Sequence, residues 1–346
     1  MQRNQNYFVQ ELIDWFSKAK RDLPWRQTRD PYKIWLSEII LQQTRVEQGL
    51  PYYERFIDHH PDVHSLADSN EKDVLKLWEG LGYYSRARNL HATAKFISKE
   101  LNGTFPNNYQ NLLQLKGIGP YTAAAIASIA FKESTPVVDG NVYRFASRYF
   151  GVFDDITQSA TRKTFESLLR DIIPSDRPDD FNQAMMEFGA TVCTPSPNCD
   201  QCHFTQSCFA YQQKAQNQLP VKTKKVKVSE EHLNYLIFEH SGKYLLHSRT
   251  EGIWKGLYQF YLIRSKEEQK ELLNKYDGKV TMESEIIKHI LTHRRLWVKF
   301  VTIEIHEAKS FKNLSKELGL HPFSLEEMLN LPRPKVIVNY LQQAVN

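Results

Sequence analysis

The feature that most constrains this 346-residue chain is a pair of glycines, Gly117 and Gly119, separated by one residue and followed by an Ala-rich apolar helix, Thr122 to Phe131. Glycine tolerates the tight turn that this spacing requires. The first amides of the helix that follows can bind an anion such as phosphate, and Pro120 suits the first helical position because no N–H is needed there. The pattern predicts a hairpin between helices, at 112–131, that can approach a phosphate closely.

An aspartate, Asp139, lies a short distance beyond this hairpin, after an apolar run and before a second amphipathic helix. Taken alone, such an aspartate is a helix N-cap. The two interpretations are compatible, because the dipole of the helix favours the ionised form of a capping carboxylate. A phosphate-binding turn beside a carboxylate indicates chemistry on the backbone or the sugar of a nucleic acid.

The composition is that of an ordinary globular chain, with 41% hydrophobic and 25% charged residues. Its length suggests two domains, each able to bury a core. The net charge of +5 is compatible with a polyanionic partner but does not establish one. No apolar run approaches the length of a membrane span and the first residues are polar, so we expect no signal peptide and a cytoplasmic location. In that compartment four cysteines are expected to be ligands rather than disulfides.

The hydrophobic period changes between the two halves of the chain. Up to about residue 192 apolar residues recur at helical spacing, which predicts an all-α domain at 1–213. A Lys-rich linker is expected at 214–231, with Lys222, Lys224, Lys225 and Lys227 close together. From His232 the alternation of apolar residues predicts strands, including Trp297–Ile305. Helices are expected after Ser265, around Glu283–Ile290 and from Pro334 to Ala344, and Ser324 with Glu327 forms a capping box. The predicted second domain, 232–346, is α+β.

Glu38 is the first candidate catalytic residue, because it lies in an apolar run inside a predicted helix, Ile34–Gln48. Burial would raise the pKa of its carboxyl group and let it hold a proton near neutrality, as a general acid requires. On one helix, however, Glu38, Gln42 and Arg45 would share a face, which would make the glutamate part of a solvated stripe. The spacing alone leaves both alternatives open.

Four cysteines, Cys193, Cys199, Cys202 and Cys208, form the pattern C-x5-C-x2-C-x5-C within the loop 193–208. Four thiolates in so short a loop can hold a [4Fe–4S] cluster or a single zinc ion. Zinc usually binds to paired C-x2-C knuckles, and only one such pair is present.

The segment Trp35–Thr44, with the sequence WLSEIILQQT, resembles the catalytic segment of the MutY family of adenine DNA glycosylases. The Gly117-Ile118-Gly119 turn and Asp139 resemble the same features of helix-hairpin-helix DNA glycosylases in general. The resemblance extends from Leu23 to Cys208, and more loosely beyond. It implies a monofunctional glycosylase that flips adenine mispaired with 8-oxoguanine, or with guanine, out of duplex DNA and hydrolyses its N-glycosidic bond, which initiates base excision repair. It also implies that the four cysteines hold a [4Fe–4S] cluster with a structural task.

The resemblance implies a role for each matching residue. Glu38 would protonate the adenine and later help water to attack, and Asp139 would stabilise or transiently capture the sugar cation, with Tyr121 and Asn141 beside them. The residues expected to bind the substrate or the DNA are Trp25, Arg26, Gln42, Gln43, Tyr83, Tyr84, Gly117, Gly119 and Gln183. Gln43 and one of Tyr83 and Tyr84 would fill the gap in the duplex; without the flanking sequence, both tyrosines would be read as core or capping aromatics.

Tyr121 also bears on the type of reaction. Relatives that cut the DNA strand through a Schiff base carry a lysine at this position, because an amine is needed to form the adduct. A phenol cannot supply it, and Lys116 lies five positions earlier, outside the motif. We therefore expect base excision without efficient strand cleavage.

The C-terminal domain resembles the Nudix-related domain of the same family. Trp254–Tyr258 matches its Trp-containing stretch, but the ordered glutamates of the pyrophosphatase box are absent, so metal-dependent hydrolysis is not expected. His289–His293 resembles the Phe-Ser-His loop that reads 8-oxoguanine, with Leu291 and Thr292 replacing Phe and Ser. A threonine hydroxyl can make the same hydrogen bonds, so Thr292 and His293 are expected to read the opposite base. The alternative is a polar turn between a helix and a strand.

Two rival functions remain open. One is an endonuclease III-like glycosylase and lyase, which Tyr121 and the C-terminal domain disfavour. The other is a non-catalytic iron–sulfur protein that binds DNA, in which Glu38 and Asp139 would be ordinary helix features. For the function that the resemblance implies, the expected partner is double-stranded DNA with A:8-oxoguanine or A:G mispairs, and we expect a monomer associated with the nucleoid in the bacterial cytosol.

Overall fold

The structure, a computed structural model, describes residues 2–223 and 227–345. Lys224 and Lys225 of the predicted linker lie outside these ranges. By their contacts the residues form two compact units, one made of Met1–Asp68 and Asn89–Lys224 and the other of Ser69–Arg88 and Lys225–Asn346. None of the helices in the described ranges is long and apolar enough to cross a membrane.

The residues up to 212 are almost wholly helical, as the sequence predicts. The helices are α1 (Gln2–Ala19), α2 (Pro31–Leu41), α3 (Val46–His59), α4 (Val63–Asp68), α5 (Glu71–Leu77), α6 (Ser85–Glu100), α7 (Tyr109–Leu112), α8 (Pro120–Phe131), α9 (Gly140–Phe150), α10 (Ser159–Arg170), α11 (Pro178–Thr191) and α12 (Phe209–Gln212). Two 3-10 turns add to them, Pro24–Arg26 and Cys199–Gln201. Of these elements, α5 and the first turn of α6 belong to the second unit.

An aromatic core fixes α1, α9 and α11 against one another. Phe8 of α1 packs on Tyr149 of α9, with ring centroids 4.2 Å apart, and Phe145 packs on Phe188 of α11 at 4.5 Å. Next to this core, the residues of α8 from Thr122 to Ile129 are all buried. Because half of these eight residues are alanines, neighbouring helices can approach closely, and α8 packs against both α2 and α11. This packing places the start of α8 beside residues of α2 and α11.

The predicted helix Ile34–Gln48 is wrong in extent, because α2 ends at Leu41 and α3 starts at Val46. Between them, Gln43 adopts a left-handed conformation, with φ of 58°, and the Thr44 amide donates to the Leu41 carbonyl at 3.1 Å. Glu38, Gln42 and Arg45 therefore do not share the face of one helix. The residues of α2 from Ile34 to Ile40 are all buried, so the solvated-stripe interpretation of Glu38 is wrong as well.

The second unit contains a mixed sheet with helices, which confirms the α+β prediction. Its strands are β1 (Ser229–His240), β2 (Lys243–Ser248), β3 (Tyr258–Gln259), β4 (Tyr261–Ile263), β5 (Gly278–Glu283), β6 (Ile287–Ile290), β7 (Arg294–Ile305) and β8 (His321–Ser324). Its C-terminal helices are α13 (Lys266–Tyr276), α14 (Ala308–Leu318), α15 (Leu325–Asn330) and α16 (Lys335–Val345). The order is β3-β2-β1-β7-β5, with β1 and β7 parallel, β4 paired with β1, β6 with β7 and β8 with β2. The capping box of Ser324 and Glu327 is present at the start of α15.

The helix predicted around Glu283–Ile290 is wrong. These residues lie along β7 in antiparallel pairing, with Glu283 opposite Val301 and Ile287 opposite Val298. The Ser284 amide donates to the Phe300 carbonyl at 2.9 Å. The glutamates of the segment suit a helix by propensity, but the long strand β7 offers backbone hydrogen bonds along its whole edge, and this tertiary pairing decides the conformation.

The segment Ser69–Arg88 packs within the second unit, a grouping that the sequence does not indicate. The Arg333 amide donates to Glu79 Oε1 at 2.9 Å, and Lys76 Nζ donates to the Leu329 carbonyl at 2.8 Å. The domain boundaries predicted from the sequence, at residues 213 and 232, stay a prediction. Within the predicted linker, Ala215 and Leu219 are buried in a small apolar cluster.

Candidate active site

A cleft of about 830 Å³ in the first unit brings most of the predicted site residues together. This volume lies in the range of small-molecule sites. The residues that the sequence predicts and that line the cleft are Trp25, Arg26, Glu38, Gln43, Tyr121, Asp139, Asn141 and Gln183. Gln42, Gly117 and Gly119 are not among its lining residues, although all three belong to the same unit.

Glu38 projects from α2 and is only 8% exposed. Its Oε2 atom accepts a hydrogen bond from the Tyr121 hydroxyl. Burial raises the pKa of Glu38 to about 7; the hydrogen bond from Tyr121 opposes this shift, the charge of Asp139 adds to it and that of Arg26 opposes it. A carboxyl group with such a pKa is partly protonated at neutral pH, which is the property of a general acid.

Tyr121 is the second residue of α8, directly after Pro120, which occupies the first helical position as predicted. Burial raises the pKa of its phenol well above the usual value, and the charge of Glu38 adds to the shift. The phenol therefore stays neutral and keeps its proton for donation. Its oxygen also lies 3.7 Å from the sulfur of Met186, a residue of α11.

Asp139 caps α9, as its position in the sequence predicts. Its Oδ1 atom accepts from the Val142 amide at 2.7 Å, and its Oδ2 atom accepts from Asn141 Nδ2 at 2.9 Å. Burial raises the pKa of Asp139, although these hydrogen bonds act in the opposite direction. Both carboxylate oxygens are thus held in place by donors from the first turn of α9.

Asn182 of α11 holds the segment that leads into Asp139. Its Oδ1 atom accepts from the Val137 amide and its Nδ2 atom donates to the Thr135 carbonyl, each at 2.9 Å. The residue is completely buried. The sequence did not predict this role, since nothing in a helical pattern indicates that the Asn182 amide holds an extended segment.

Arg144, which sequence reasoning also missed, connects this region to the cysteine loop. One amino group donates to Asn141 Oδ1 at 2.8 Å and to the Gly189 carbonyl at 2.6 Å, while Nε donates to the Cys193 carbonyl at 2.7 Å. Hydrogen bonds thus run from Asp139 through Asn141 and Arg144 to the first cysteine. The spacing of Arg144, three residues after Asn141 on a helix, is the only sequence signal for this arrangement.

Glu187 of α11 also lines the cleft and was not predicted. Arg26 and Arg21 each donate to its Oε2 atom at 2.7 Å. Burial alone would raise the pKa of Glu187, but the hydrogen bonds from Arg21 and Arg26 outweigh it and lower the pKa to about 2. Trp25 is buried beside them, with its ring 5.1 Å from that of Tyr53. The sequence signal that could have identified Glu187 is its position four residues after Gln183, on the same face of α11.

The two hairpin glycines differ in what they require. Gly117 has φ of 79°, and a Cβ atom there would lie 2.7 Å from Cβ of Asn89. Gly119 caps α8 with φ of −86°, and a Cβ atom there would meet nothing within 4 Å. The first backbone hydrogen bond of α8 runs from the Ala123 amide to the Gly119 carbonyl at 2.9 Å. The amides before Ala123 therefore do not donate to carbonyl groups within the helix. Gln42 connects the end of α2 to the first turn of α8, because its Nε2 atom donates to Thr122 Oγ1 at 3.2 Å.

The remaining predicted DNA-binding residues lie in the second unit. Tyr84 is 3% exposed and its hydroxyl accepts from the Gly80 amide at 3.2 Å, so it is a core residue. Tyr83 is 42% exposed, and its hydroxyl donates to Thr292 Oγ1 at 2.5 Å. Thr292 and His293 are exposed in the tight turn between β6 and β7. The turn therefore joins two strands, rather than a helix and a strand.

The four cysteines line one pocket, together with Phe145, Arg148 and Phe204. Burial raises the pKa of Cys193, Cys202 and Cys208. Nη1 of Arg148 lies 3.5 Å from the sulfur of Cys193. Within residues 2–223 and 227–345, no group of three or more His, Cys, Asp or Glu side chains is arranged to hold a metal ion.

Comparison with known proteins defines the class. Residues 36–171 match the family described as HhH-GPD superfamily base excision DNA repair protein, and residues 234–343 match the NUDIX domain. The solved structure of a thermostable thymine-DNA glycosylase is similar, with a TM-score of 0.56 and 28% identity, over 61% of this chain and 98% of that chain. The fold is that of a helix-hairpin-helix DNA glycosylase that acts in base excision repair.

Relatives identify the particular family. The adenine DNA glycosylase of Buchnera aphidicola from Schizaphis graminum is 33% identical over 341 residues, covering 97% of this chain and 98% of the relative. The human adenine DNA glycosylase is 42% identical over 222 residues, covering 61% of this chain and 41% of the relative. The chain belongs to the adenine DNA glycosylase family. The predictions of family, of fold class and of a DNA glycosylase are confirmed.

Proposed function

We propose that the protein excises adenine opposite 8-oxoguanine, and also opposite guanine, in duplex DNA. The observation that carries this proposal is the position of Glu38, whose pKa burial raises to about 7, in the same cleft as Asp139. One carboxyl group that can be protonated, next to a second that is held by donors, suits the cleavage of a glycosidic bond. Membership of the adenine DNA glycosylase family supports adenine as the base that is removed.

Adenine must leave the helix before this cleft can act on it, because the glycosidic bond is unreachable within the stack. Trp25, Arg26 and Gln183 line the cleft and would contact the flipped base. Of the two adjacent tyrosines, Tyr83 is the exposed one and would act as the wedge, together with Gln43. The free amides at the start of α8, with Gly117 and Gly119, would bind a phosphate.

The proposed chemistry requires a proton on the leaving base. Glu38 donates its proton to the adenine, so that the base leaves uncharged and the sugar becomes an oxocarbenium-like cation. Asp139 stabilises this cation or captures it transiently, as the second carboxylate does in retaining glycosidases. Water then attacks the sugar, and Glu38, now ionised, accepts the proton that water loses. The products are free adenine and an abasic site.

Tyr121 limits the protein to this hydrolysis. A Schiff base with the sugar needs an amine, and the residue beside Glu38 presents a hydroxyl group. The hydroxyl instead donates to Glu38. The protein would therefore leave the DNA strand intact, in contrast to a bifunctional glycosylase and lyase.

The donor set suits a [4Fe–4S] cluster better than a zinc ion. Zinc bound by four cysteines usually takes two C-x2-C knuckles, and this loop has only one such pair, Cys199 and Cys202. All four cysteines line the same pocket, as ligands of one cluster would. When bound, it would cross-link the loop 193–208, and no step of the excision involves it.

The second unit would read the base opposite the adenine. Thr292 and His293 are exposed at the tip of a hairpin, where side chains can reach a base. The hydroxyl of Thr292 can donate and accept, as recognition of the additional oxygen and N–H of 8-oxoguanine requires. A cytoplasmic location and a monomeric state stay predictions.

A duplex with one A:8-oxoguanine pair tests the proposal. We expect release of free adenine and an intact strand until alkali or heat cleaves the abasic site. Release of adenine with simultaneous strand cleavage would favour the bifunctional rival. Binding without release would favour a non-catalytic DNA-binding protein. Matched A:T duplex is the control, from which no adenine should be released.

A further inference from the structure

The hydroxyl of Tyr121 has a single proton and two polar neighbours. One is Glu38 Oε2, to which it donates; the other is the sulfur of Met186, at 3.7 Å. The two neighbours differ greatly as acceptors. A carboxylate forms strong, charge-assisted hydrogen bonds, whereas a thioether sulfur is a weak acceptor.

Met186 reaches this position because of the register of α11. Four residues of that helix line the cleft at helical spacing, namely Gln183, Met186, Glu187 and Ala190. Met185 lies instead in the aromatic core. Met186 is thus half-buried, and its side chain lies beside the acid and its tyrosine rather than in the packed interior.

We propose that Met186 is a positioning residue that keeps the Tyr121 hydroxyl hydrogen-bonded to Glu38. Its sulfur fills the space beside the phenol and is too weak an acceptor to compete for the phenol proton. This inference rests on the proposed role of Glu38 as the acid. Helix α11 would then affect the proton transfer through Met186, in addition to the proposed contacts of Gln183 with the base.

The consequence for the acid follows from the hydrogen bond. A hydrogen bond donated to a carboxylate favours the charged form and lowers the pKa. In this protein, burial raises the pKa of Glu38 and the bond from Tyr121 opposes the rise. A stronger acceptor at position 186 would draw the phenol proton away, and the pKa of Glu38 would then rise further. Excision would persist to higher pH, since more of the acid would stay protonated.

Other charged groups face Glu38 from the surrounding elements. Asp139, at the start of α9, raises its pKa, and Arg26, in the 3-10 turn before α2, lowers it. The further charged residues that line the cleft are Arg21, Arg45, Glu47, Arg144 and Glu187. An uncharged substitution at Met186 leaves all of these charges unchanged, so a shift of the pH profile would report the hydrogen bond.

The test compares Met186→Gln with Met186→Leu. Glutamine is close to methionine in length and adds a strong acceptor, whereas leucine adds none. Single-turnover excision of adenine is measured from pH 5 to pH 9 with the full-length protein. We expect the alkaline limb to move upward by about one pH unit in the glutamine variant, as the loss of one hydrogen bond implies, and to stay in place in the leucine variant. An unmoved limb in the glutamine variant, or an equal shift in both, would overturn the inference.

A second comparison tests whether residue 186 affects the pKa of Glu38 through the Tyr121 hydroxyl. In a Tyr121→Phe background the phenol proton is absent, so adding Met186→Gln should leave the alkaline limb where Tyr121→Phe alone places it. A persisting shift would show that residue 186 acts by another route, which also overturns the inference. If the glutamine variant melts far below the wild type, Met186→Asn presents the same amide on a shorter side chain and replaces it.

A failure of the proposed function would give a different result from a failure of the inference about Met186. If Glu38→Gln excised adenine with an unchanged pH profile, Glu38 would not be the acid, and the proposed chemistry would fail whatever Met186 does. If Glu38→Gln abolishes excision while the glutamine variant at 186 shows no shift, the proposed function stands and only the role of Met186 is overturned.

Discussion

Tyr83 and Thr292, which are 209 positions apart in the sequence, are joined by a hydrogen bond of 2.5 Å between their hydroxyl groups. Tyr83 adopts a left-handed conformation, with φ of 47°, and its side chain is exposed. Thr292 lies in the turn after β6, so the contact forms within the second unit. The residue proposed to fill the gap in the duplex therefore contacts the residue proposed to read the opposite base, before any DNA is bound.

The first prediction concerns the acid. Glu38→Gln keeps the shape of the side chain but removes the titratable proton, so excision of adenine should fall by several orders of magnitude. General acid–base catalysis alone contributes about 10²- to 10⁴-fold, and dependence on protonation of the leaving base adds to this. Binding to the A:8-oxoguanine duplex, measured in parallel by a gel-shift titration, should persist. Near-normal excision by this variant would remove Glu38 from the mechanism.

The second prediction links the same residue to stability. The folded-state pKa of Glu38 is raised from 4.5 to about 7. The stability contributed by the protonated, buried group is fully present below pH 4.5 and is lost as pH rises through 7. Glu38→Gln is neutral at every pH and escapes this loss, which is on the order of 3 kcal/mol for a shift of this size.

Chemical denaturation of both proteins between pH 4 and pH 8.5 measures this difference. The free energy of unfolding of Glu38→Gln minus that of the wild type should grow across the window and level off at its upper end. All other titrating groups are common to the two proteins and cancel in the difference. A difference that is flat with pH would show that the carboxyl group is not destabilised by its surroundings.

The third prediction separates the two hairpin glycines. Gly117→Ala places a side chain at φ of 79° and 2.7 Å from Asn89 Cβ, so the protein should lose stability, by about 1–2 kcal/mol for the left-handed conformation alone. Gly119→Ala has room for its methyl group in the unbound protein and needs no left-handed backbone, so its cost is that of replacing a favoured N-cap residue by alanine, on the order of 1 kcal/mol or less. It should nonetheless weaken duplex binding, because the methyl group occupies the space that a phosphate would approach. The melting temperature and the duplex affinity of both variants test these expectations. If Gly119→Ala binds the duplex as tightly as the wild type, the phosphate does not bind at this turn.

Several parts of the site are predictable because their signals are local. The apolar run around Glu38 indicates its burial, Pro120 marks the first residue of α8, and Asp139 stands where a helix N-cap is expected. In each case the neighbouring residues in the sequence are also the residues that determine the conformation. These predictions needed no tertiary information.

Other parts depend on contacts that a linear pattern does not contain. No Gly or Pro marks the end of α2, and the turn at Gln43 is accompanied by the contact of Gln42 with Thr122, which is 80 positions away. Glu187 resembles any polar residue of an amphipathic helix until Arg21, 166 positions away, pairs with it. Tyr83 and Tyr84 are neighbours with the same chemistry, and only the packing of Ser69–Arg88 makes one exposed and the other buried.

The fourth prediction concerns strand cleavage. Borohydride added during turnover should trap little or no covalent protein–DNA adduct, because the side chain beside Glu38 is a phenol without an amine. Tyr121→Lys would place an amine in the cleft and should allow some trapping. The wild type and this variant are compared on the same duplex by denaturing gel. Efficient trapping by the wild type would show that a lysine elsewhere acts as a lyase nucleophile.

The last prediction returns to Thr292 and Tyr83. A truncation near residue 231 would remove the residues against which Ser69–Arg88 packs, so point substitutions are the cleaner test. Thr292→Ala removes the hydroxyl proposed to read 8-oxoguanine and should lower the preference for A:8-oxoguanine over A:G, at most by the roughly 1–3 kcal/mol of one good base contact. Thr292→Ser keeps the hydroxyl and should retain most of the preference.

Tyr83→Phe tests whether the contact itself matters. This variant keeps the ring that would fill the gap but loses the donor to Thr292 Oγ1. If the tyrosine orients the threonine for reading, the phenylalanine variant should lose part of the same preference, and the two substitutions together should cost less than the sum of each alone, because they remove one shared interaction. Competition between the A:8-oxoguanine and A:G duplexes in one tube measures the ratio directly. Strictly additive losses would mean that the hydrogen bond plays no part in discrimination, and that Tyr83 and Thr292 contact the DNA independently.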